Sequence, residues 1–282
     1  MSITKNVRNK NLMVDLFCVV ILVVVLVPFA WIFISSFKSY EAVQKIPIEY
    51  FPKKPTLETY EFILFNYRFG SWPRYLLNSL KISVITTVIV TMFASLSGYA
   101  FSRFKFKGAA SLLILLLITQ MFPGPSILIP MYKFICTLNL LDTHLALILI
   151  NIAFTLPFAV WMSIGSYENI PADLEEAAYI DGCSLMGAYW KVVFPVSKIG
   201  LISVALYTFI ISWAEFIFSL VIIESPEKMT VALKLGSMVS EMTVHWNEIS
   251  AATVVVSLPL LAFFMWAQKY FIRGMVAGAV KE

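Results

Sequence analysis

The sequence predicts an all-α membrane protein with six transmembrane helices. Hydrophobic residues make up 60% of the 282 residues, charged residues only 13%, and the mean hydropathy is +0.83. A soluble core of this size cannot bury so much apolar surface. Six apolar stretches are also long enough to cross a ~30 Å hydrocarbon layer as helices. We therefore expect one transmembrane domain spanning residues 1–282.

The first predicted span covers residues 14–35 and follows a basic start containing Lys5, Arg8 and Lys10. Its apolar run is longer than that of a cleaved signal peptide, and no small-residue cleavage site follows it, so we interpret it as a retained span. The next segment, 36–81, is rich in proline and aromatic residues. Its apolar content is too high for a disordered linker, which predicts an ordered external loop.

The other five predicted spans cover residues 82–101, 109–130, 145–165, 199–223 and 249–271, with further external loops at 131–144 and 224–248. Prolines within or beside several spans predict kinked helices. An even number of spans places both termini on the same side. The short link 102–108 carries Arg103, Lys105 and Lys107, and this density of positive charge favours a cytoplasmic N-terminus.

Composition makes several functions unlikely to reside in this chain. The net charge of +4 is dispersed, whereas a nucleic-acid-binding protein usually has a basic patch. The three cysteines, Cys18, Cys136 and Cys183, are widely separated and form no CxxC pair, and the only histidines, His144 and His245, are far apart in sequence. We therefore expect no metal site, no disulfide framework and no cofactor bound by this chain.

The most strongly patterned polar segment lies within residues 167–198, between the fourth and fifth spans, and predicts two helices joined by a tight turn. Pro171 suits the first helical position, and three acids follow it at the positive end of the helix dipole. Gly182 can adopt the left-handed conformation that ends a helix. Ser184 can cap the second helix, and Pro195 is expected to limit it.

One face of the first of these helices is predicted to be small and mostly apolar, because its residues recur at three- and four-residue spacings. These are Leu174, Ala177, Ala178 and Asp181, with Glu175 and Glu176 toward the flank. Such a face permits close approach by another protein. An amphipathic helix lying at the lipid interface is an equally good interpretation of the pattern alone.

The same residues resemble the EAA loop of binding-protein-dependent ABC importer permeases. The likeness rests on Glu176-Ala177-Ala178-x-x-Asp181-Gly182, followed by Tyr189 and Pro195. The neighbouring pairs Ile170-Pro171 and Leu174-Glu175 resemble the carbohydrate-uptake branch, which includes the maltose/maltodextrin permeases. Cys183 and Ile199 depart from the residues common there, alanine and proline. Further likeness lies in Asn78-Ser79-Leu80, Gly98 to Phe104, Trp213-x-Glu215-Phe216 and the tail from Phe271 to Lys281.

This resemblance implies a type I importer permease in a prokaryotic cytoplasmic membrane, with both termini cytoplasmic. It implies coupling to a separate ATPase through Glu176, Ala177, Ala178, Asp181, Gly182, Tyr189 and Pro195. It also implies an ATPase-interface role for the tail residues Arg273, Gly274, Gly278 and Lys281. The implied partners are a second permease subunit of a different sequence, two ATPase subunits and an external substrate-binding protein.

The chain has no G-x-x-x-x-G-K-[ST] motif to hold nucleotide phosphates. The sequence therefore predicts a translocation subunit without enzymatic activity of its own, with ATP and Mg²⁺ bound by the partner ATPases. The implied substrate is a sugar or oligosaccharide. A polyol or glycerol phosphate derivative carried by the same machinery is the alternative. A lipid-modifying membrane enzyme is an alternative from another class, although the clustered polar residues that such an enzyme needs are not evident.

Gln120, Asn151 and Glu215 are polar residues that fall within predicted spans. An ionisable or amide group at membrane depth suggests either a translocation path or a structural hydrogen bond between helices. For Glu215 we favour structural use. The sequence alone leaves both possibilities open for Gln120 and Asn151.

Overall fold

The computed structural model describes residues 2–65, 71–239 and 244–279, and the side chains of 14–65, 71–239 and 244–270. These residues form helices and loops and no strand, which confirms the all-α prediction. The α-helices, in chain order, are α1 Ser2–Ser35, α2 Tyr40–Gln44, α3 Glu58–Phe65, α4 Trp72–Arg103, α5 Ala109–Ile118, α6 Gly124–Thr137, α7 His144–Glu168, α8 Asp173–Ile180, α9 Leu185–Ala188, α10 Phe194–Trp213, α11 Ile217–Ile222, α12 Val231–Val239 and α13 Trp246–Ala279.

Five helical segments among the described residues are long and apolar enough to cross a membrane. They are Val14–Ser35, Trp72–Arg103, His144–Glu168, Leu185–Trp213 and Trp246–Tyr270. Two shorter helical segments, Ala109–Met121 and Gly124–Thr137, form a bent pair that provides a sixth span if the pair is counted as one. The structure thus has five or six candidate spans where the sequence predicts six.

The third predicted span, 109–130, is not a straight helix. Its two halves meet at an angle of 98°. Pro123 has no N–H to donate and disfavours helical backbone in the residue before it. Phe122 accordingly adopts an extended conformation, with φ −79° and ψ 121°. The chain then continues as α6 to Thr137, so helix extends into the predicted external loop 131–144.

The fifth predicted span, 199–223, is also divided. α10 ends at Trp213 and α11 begins at Ile217. The carboxylate of Glu215 accepts hydrogen bonds from the backbone N–H of Phe218 at 2.6 Å and of Ser219 at 3.0 Å. A side chain that caps a new helix start stabilises a break that hydropathy alone does not reveal.

The chain packs as two compact units. The first comprises Met1–Ser71 and Ser237–Ser257, and the second comprises Trp72–Gly236 and Leu258–Glu282, so α13 contributes to both. In the first unit, the Lys38 ammonium is buried, donates to the backbone carbonyl of Glu49 at 2.6 Å and lies 4.2 Å from the centre of the Trp31 ring. Tyr60 donates to Ser36 at 2.7 Å. These contacts order the part of the loop that directly follows α1.

The second unit is organised around α4, α7 and α10. Their buried contact is built from small and β-branched residues: Val90, Ala94, Ala159, Val160, Ile164 and Val204. Gly98 lies so close to Ser163 that a Cβ at this glycine would collide with the serine side chain. The Ser163 hydroxyl donates to the Ala94 carbonyl at 2.6 Å. Small residues and hydroxyl hydrogen bonds let these helix backbones approach closely within the membrane.

Asp142, in the turn between α6 and α7, fastens the segment that follows α11. Its carboxylate accepts from Lys228 Nζ at 2.7 Å and from the Ser225 hydroxyl at 2.5 Å, and also from the backbone N–H groups of Glu224 and Ser225. Burial acts to raise the pKa of Asp142, but these hydrogen bonds hold it well below its usual range. The stabilisation that these hydrogen bonds give the folded protein is complete when the pH lies above the pKa of Asp142 in the unfolded chain. It is lost as the pH falls through the lower pKa of Asp142 in the folded protein.

The contact of Gly98 with Ser163 predicts that Gly98→Ala destabilises the second unit by about 1–3 kcal/mol, because the added methyl overpacks α4 against α7. The measurement is the thermal unfolding midpoint of the purified protein in detergent. Gly165→Ala is the matched control, since a Cβ at this glycine of α7 meets nothing within 4 Å. An unchanged midpoint for Gly98→Ala would show that the two helices can separate without cost.

Candidate functional site

The segment between α7 and α10 forms the helix-turn-helix predicted from its sequence. Asp173, Glu175 and Glu176 occupy the first turn of α8. Gly182 has φ +82°, which confirms its predicted left-handed conformation. The N–H of Cys183 bonds to Ala178 O at 2.9 Å and the N–H of Gly182 bonds to Tyr179 O at 3.0 Å. This pair of bonds is a Schellman motif, which ends a helix on a residue of positive φ.

The second half of the segment is capped as predicted but does not end at Pro195. The Ser184 hydroxyl accepts from the N–H of Gly187 at 3.2 Å and begins α9. A π-helical turn at Tyr189–Val193 then leads directly into α10, giving one continuous helical segment, Leu185–Trp213. The expectation that Pro195 limits this helix is wrong. The wider π turn just before the proline accommodates its missing N–H and relieves the clash of its ring with the preceding turn.

The outer surface of α8 and its turn combines acidic and apolar groups. Glu176, Ala177, Asp181 and Gly182 are all exposed. Large apolar side chains are exposed beside them, namely Leu174, Ile180, Leu185, Met186 and Trp190. Ala178 instead packs inward and is buried, because adjacent residues of a helix point about 100° apart. The two alanines therefore have different roles, and only Ala177 is available to another protein.

The inner surface of α8 carries a buried ion pair that the sequence analysis missed. Glu175 Oε1 accepts from Arg103 Nε at 2.5 Å, and Glu175 Oε2 accepts from the Tyr99 hydroxyl at 2.8 Å. Arg103 Nη2 also donates to the Ile170 carbonyl at 2.7 Å. The two charged side chains are only 16% and 6% exposed. Thus the last turn of α4 holds the start of the helix-turn-helix by charge and hydrogen bonds together.

Tyr189 belongs to the same buried cluster. Its hydroxyl lies 2.6 Å from Ser95 Oγ, which also lies 2.5 Å from the Tyr167 hydroxyl. The ring of Tyr189 packs 4.9 Å from that of Tyr99. These contacts connect the π turn to α4 and α7. Because Tyr189 is only 1% exposed, it has no surface available to a partner protein.

Gln120, Asn151 and Glu215 lie together in a separate place. These residues all line one cavity of about 490 Å³. Gln120 Nε2 donates to Phe154 O at 3.1 Å. The Glu215 carboxylate caps α11 and also accepts from the Ser219 hydroxyl at 2.7 Å, in keeping with the structural use favoured for it.

The predicted tail residues are only partly described. The backbone of Arg273, Gly274 and Gly278 continues α13, but their side chains lie outside the described residues. Lys281 lies outside them entirely.

Residues 90–277 match the family described as binding-protein-dependent transport system inner membrane component. The inner membrane ABC transporter permease protein YcjP of Escherichia coli (strain K12) is 31% identical, over 92% of each chain. The trehalose/maltose transport system permease protein MalG of Thermococcus litoralis is 32% identical, over 96% of this chain and 97% of MalG. The galactooligosaccharides transport system permease protein GanQ of Bacillus subtilis is 30% identical, over 92% of this chain and 91% of GanQ.

The fold of this chain is similar to that of a protein chain of known structure. A bacterial ABC transporter involved in the import of the acidic polysaccharide alginate contains a chain that aligns with a TM-score of 0.77. The alignment covers 94% of this chain and 97% of that one, at 23% sequence identity. At this identity the likeness establishes the architecture and carries no conclusion about the transported molecule.

The ion pair predicts that Glu175→Gln loosens the helix-turn-helix, because Arg103 keeps its buried charge without a counter-ion. Loss of one partner of a buried pair costs about 3–5 kcal/mol. Hydrogen exchange of the backbone amides between Ile170 and Gly182 is expected to speed up strongly. Glu176→Gln is the matched control, since it removes the same charge from an exposed neighbour. Equal exchange in both variants would contradict the assigned role of Glu175.

Proposed function

This chain belongs to the family of binding-protein-dependent transport system inner membrane components, and we propose that it is the permease subunit through which an ATP-binding-cassette importer takes up a carbohydrate. Relatives at 30–32% identity are named for the transport of trehalose/maltose, galactooligosaccharides and sulfoquinovosyl glycerol. These names support a sugar or oligosaccharide as the substrate class. A polyol or glycerol phosphate derivative is the alternative substrate for the same machinery.

The observation that carries the proposal is the two-sided construction of α8. Its outer surface exposes the acid of Glu176, the small side chain of Ala177 and the apolar side chain of Ile180. Its inner surface is held to α4 through Glu175 and Arg103. A short helix that is exposed on one side and firmly attached on the other suits docking in a cleft of a partner protein. We assign this surface to the ATPase, as the resemblance to the EAA loop implies.

The attachment supports a lever mechanism. Closure of the ATPases on ATP displaces α8, and the Glu175–Arg103 pair passes that displacement to α4. The π turn containing Tyr189 passes it to α10, which continues the same helical segment. The spans then shift between outward-open and inward-open states, and ATP binding favours one of the two. In this mechanism Asp181 and Gly182 form the turn that ends α8, and Pro195 lies at the point where the π turn enters α10.

The remaining parts of the assembly belong to other chains. We propose a second permease subunit of different sequence, two ATPase subunits that bind ATP and Mg²⁺, and an external substrate-binding protein. Docking of α8 on the ATPases places the 167–198 segment, and hence both termini, in the cytoplasm. The positive charge of the 102–108 link supports the same orientation. The tail residues Arg273, Gly274, Gly278 and Lys281 are then on the ATPase side, where we propose that they contact it.

The positive φ of Gly182 predicts that Gly182→Val uncouples transport from hydrolysis, because a β-branched residue strains the left-handed backbone. The measurement is sugar-stimulated ATPase activity and sugar uptake of the complete assembly in liposomes. Stimulation and uptake are expected to fall at least about tenfold, which corresponds to ~1.4 kcal/mol. Gly182→Asn is the control, since asparagine tolerates this conformation and should retain most of the coupling. Full coupling in the valine variant would contradict the lever mechanism.

A further inference from the structure

We propose that the cavity lined by Gln120, Asn151 and Glu215 is a binding subsite for a neutral saccharide unit and discriminates against anionic sugars. The proposal rests on the permease function given above and adds a place and a charge preference for the substrate. Three features support it: the position of the cavity, the side-chain amide of Asn151 and the chemistry of the cavity wall.

The cavity lies where two membrane segments are interrupted. One wall contains Phe122 and Gly124, at the bend between α5 and α6, and another contains Ala214 and Phe216, at the break between α10 and α11. Broken helices at membrane depth are tolerated where the freed backbone borders a cavity or other protein. Asn151 is seven residues into α7, about 10 Å along the helix from His144. The cavity is therefore well inside the membrane segment.

The side-chain amide of Asn151 is the polar group that indicates a ligand in this cavity. It lines the cavity and is only 3% exposed. No described residue hydrogen-bonds to its side-chain amide, although its backbone carbonyl accepts from Thr155. Hydroxyl groups of a bound sugar would both donate to and accept from this amide.

Gln120 and Glu215 provide further hydrogen-bond acceptors in the same wall of the cavity. Gln120 uses its Nε2 on Phe154 O, so its Oε1 is available as an acceptor. The Glu215 carboxylate accepts from three donors on Phe218 and Ser219. A carboxylate offers about four acceptor positions, which leaves about one for a sugar hydroxyl.

The rest of the wall is apolar and aromatic, with the rings of Phe154 and Phe218 packed 5.0 Å apart. Few polar groups on an apolar lining are typical of small-molecule sites, and the volume of about 490 Å³ falls within their usual range. Such a lining suits a pyranose ring, which presents C–H faces as well as hydroxyl edges.

The charge preference follows from the lining residues. They include the acid Glu215, and none of the described lining residues is a lysine, arginine or histidine. An anionic sugar would enter this cavity without a counter-ion and beside a carboxylate. Burying an unpaired charge is strongly unfavourable. A neutral saccharide meets no such penalty.

The first test is protection of an engineered cysteine. Cys18, Cys136 and Cys183 are replaced by serine, Gln120→Cys is introduced, and the permease–ATPase assembly is labelled with a small polar thiol reagent in liposomes. The binding protein is omitted so that its own selectivity does not enter. A panel of maltose, trehalose and galactotriose is compared with a mannuronate disaccharide and glycerol 3-phosphate at equal millimolar concentrations.

At least one neutral saccharide is expected to slow labelling about fivefold, as four-fifths occupancy requires, while the anionic compounds leave the rate unchanged. Ser203→Cys in α10 is the control, because Ser203 is not among the cavity-lining residues, and its labelling should not respond to sugar. Protection by none of the compounds would overturn the subsite. Equal protection by neutral and anionic compounds would overturn the charge preference.

The second test separates this inference from the permease function itself. Asn151→Leu is expected to raise the sugar concentration for half-maximal uptake by about fivefold. Unchanged uptake in Asn151→Leu would overturn the subsite and leave the importer function intact. Failure of the wild-type chain to assemble with any ATPase would instead overturn the importer function.

Discussion

The buried pair of Arg103 and Glu175 is the interaction on which the position of the helix-turn-helix depends. A guanidinium and a carboxylate withdrawn from water are stable only when each finds partners, and here Tyr99 and the Ile170 carbonyl complete the set. The pair fixes where α8 begins relative to the end of α4. Because one side of α8 is held in this way, its opposite side can present Glu176 and Ala177 outward without a cost in stability.

The helix-turn-helix has a second attachment, which runs through the backbone of a helix. α9, the π turn and α10 form a single helical segment, so the segment after the Gly182 turn and the membrane-embedded helix share one backbone. The hydroxyls of Ser95, Tyr167 and Tyr189 tie the π turn to α4 and α7. When this helical segment is displaced, its hydrogen bonds to α4 and α7 displace those two helices with it. The lever mechanism proposed above requires such a segment, because the ATPase would have to move spans that it does not contact.

Two groups of polar residues within the membrane segments are arranged differently. Those at the α8 end of the bundle are paired with one another and build the attachment. Those near the two helix breaks border a cavity, and there Glu215 caps α11 while Asn151 keeps an unused amide. The first group forms a hydrogen-bonded network that attaches α8 to the bundle, and the second lines the cavity proposed above as a saccharide subsite.

The sequence by itself determined the features that depend on near neighbours along the chain. These include the apolar lengths of the spans, the left-handed glycine at position 182, the serine cap of α9 and the family to which the motif points. Only the tertiary structure decided which of two adjacent glutamates is buried, because the partner of Glu175 lies 72 residues away. It also decided that Gln120, Asn151 and Glu215 share one wall, and that two predicted spans are broken. Pairing between distant groups depends on how helices pack, and no local pattern records that.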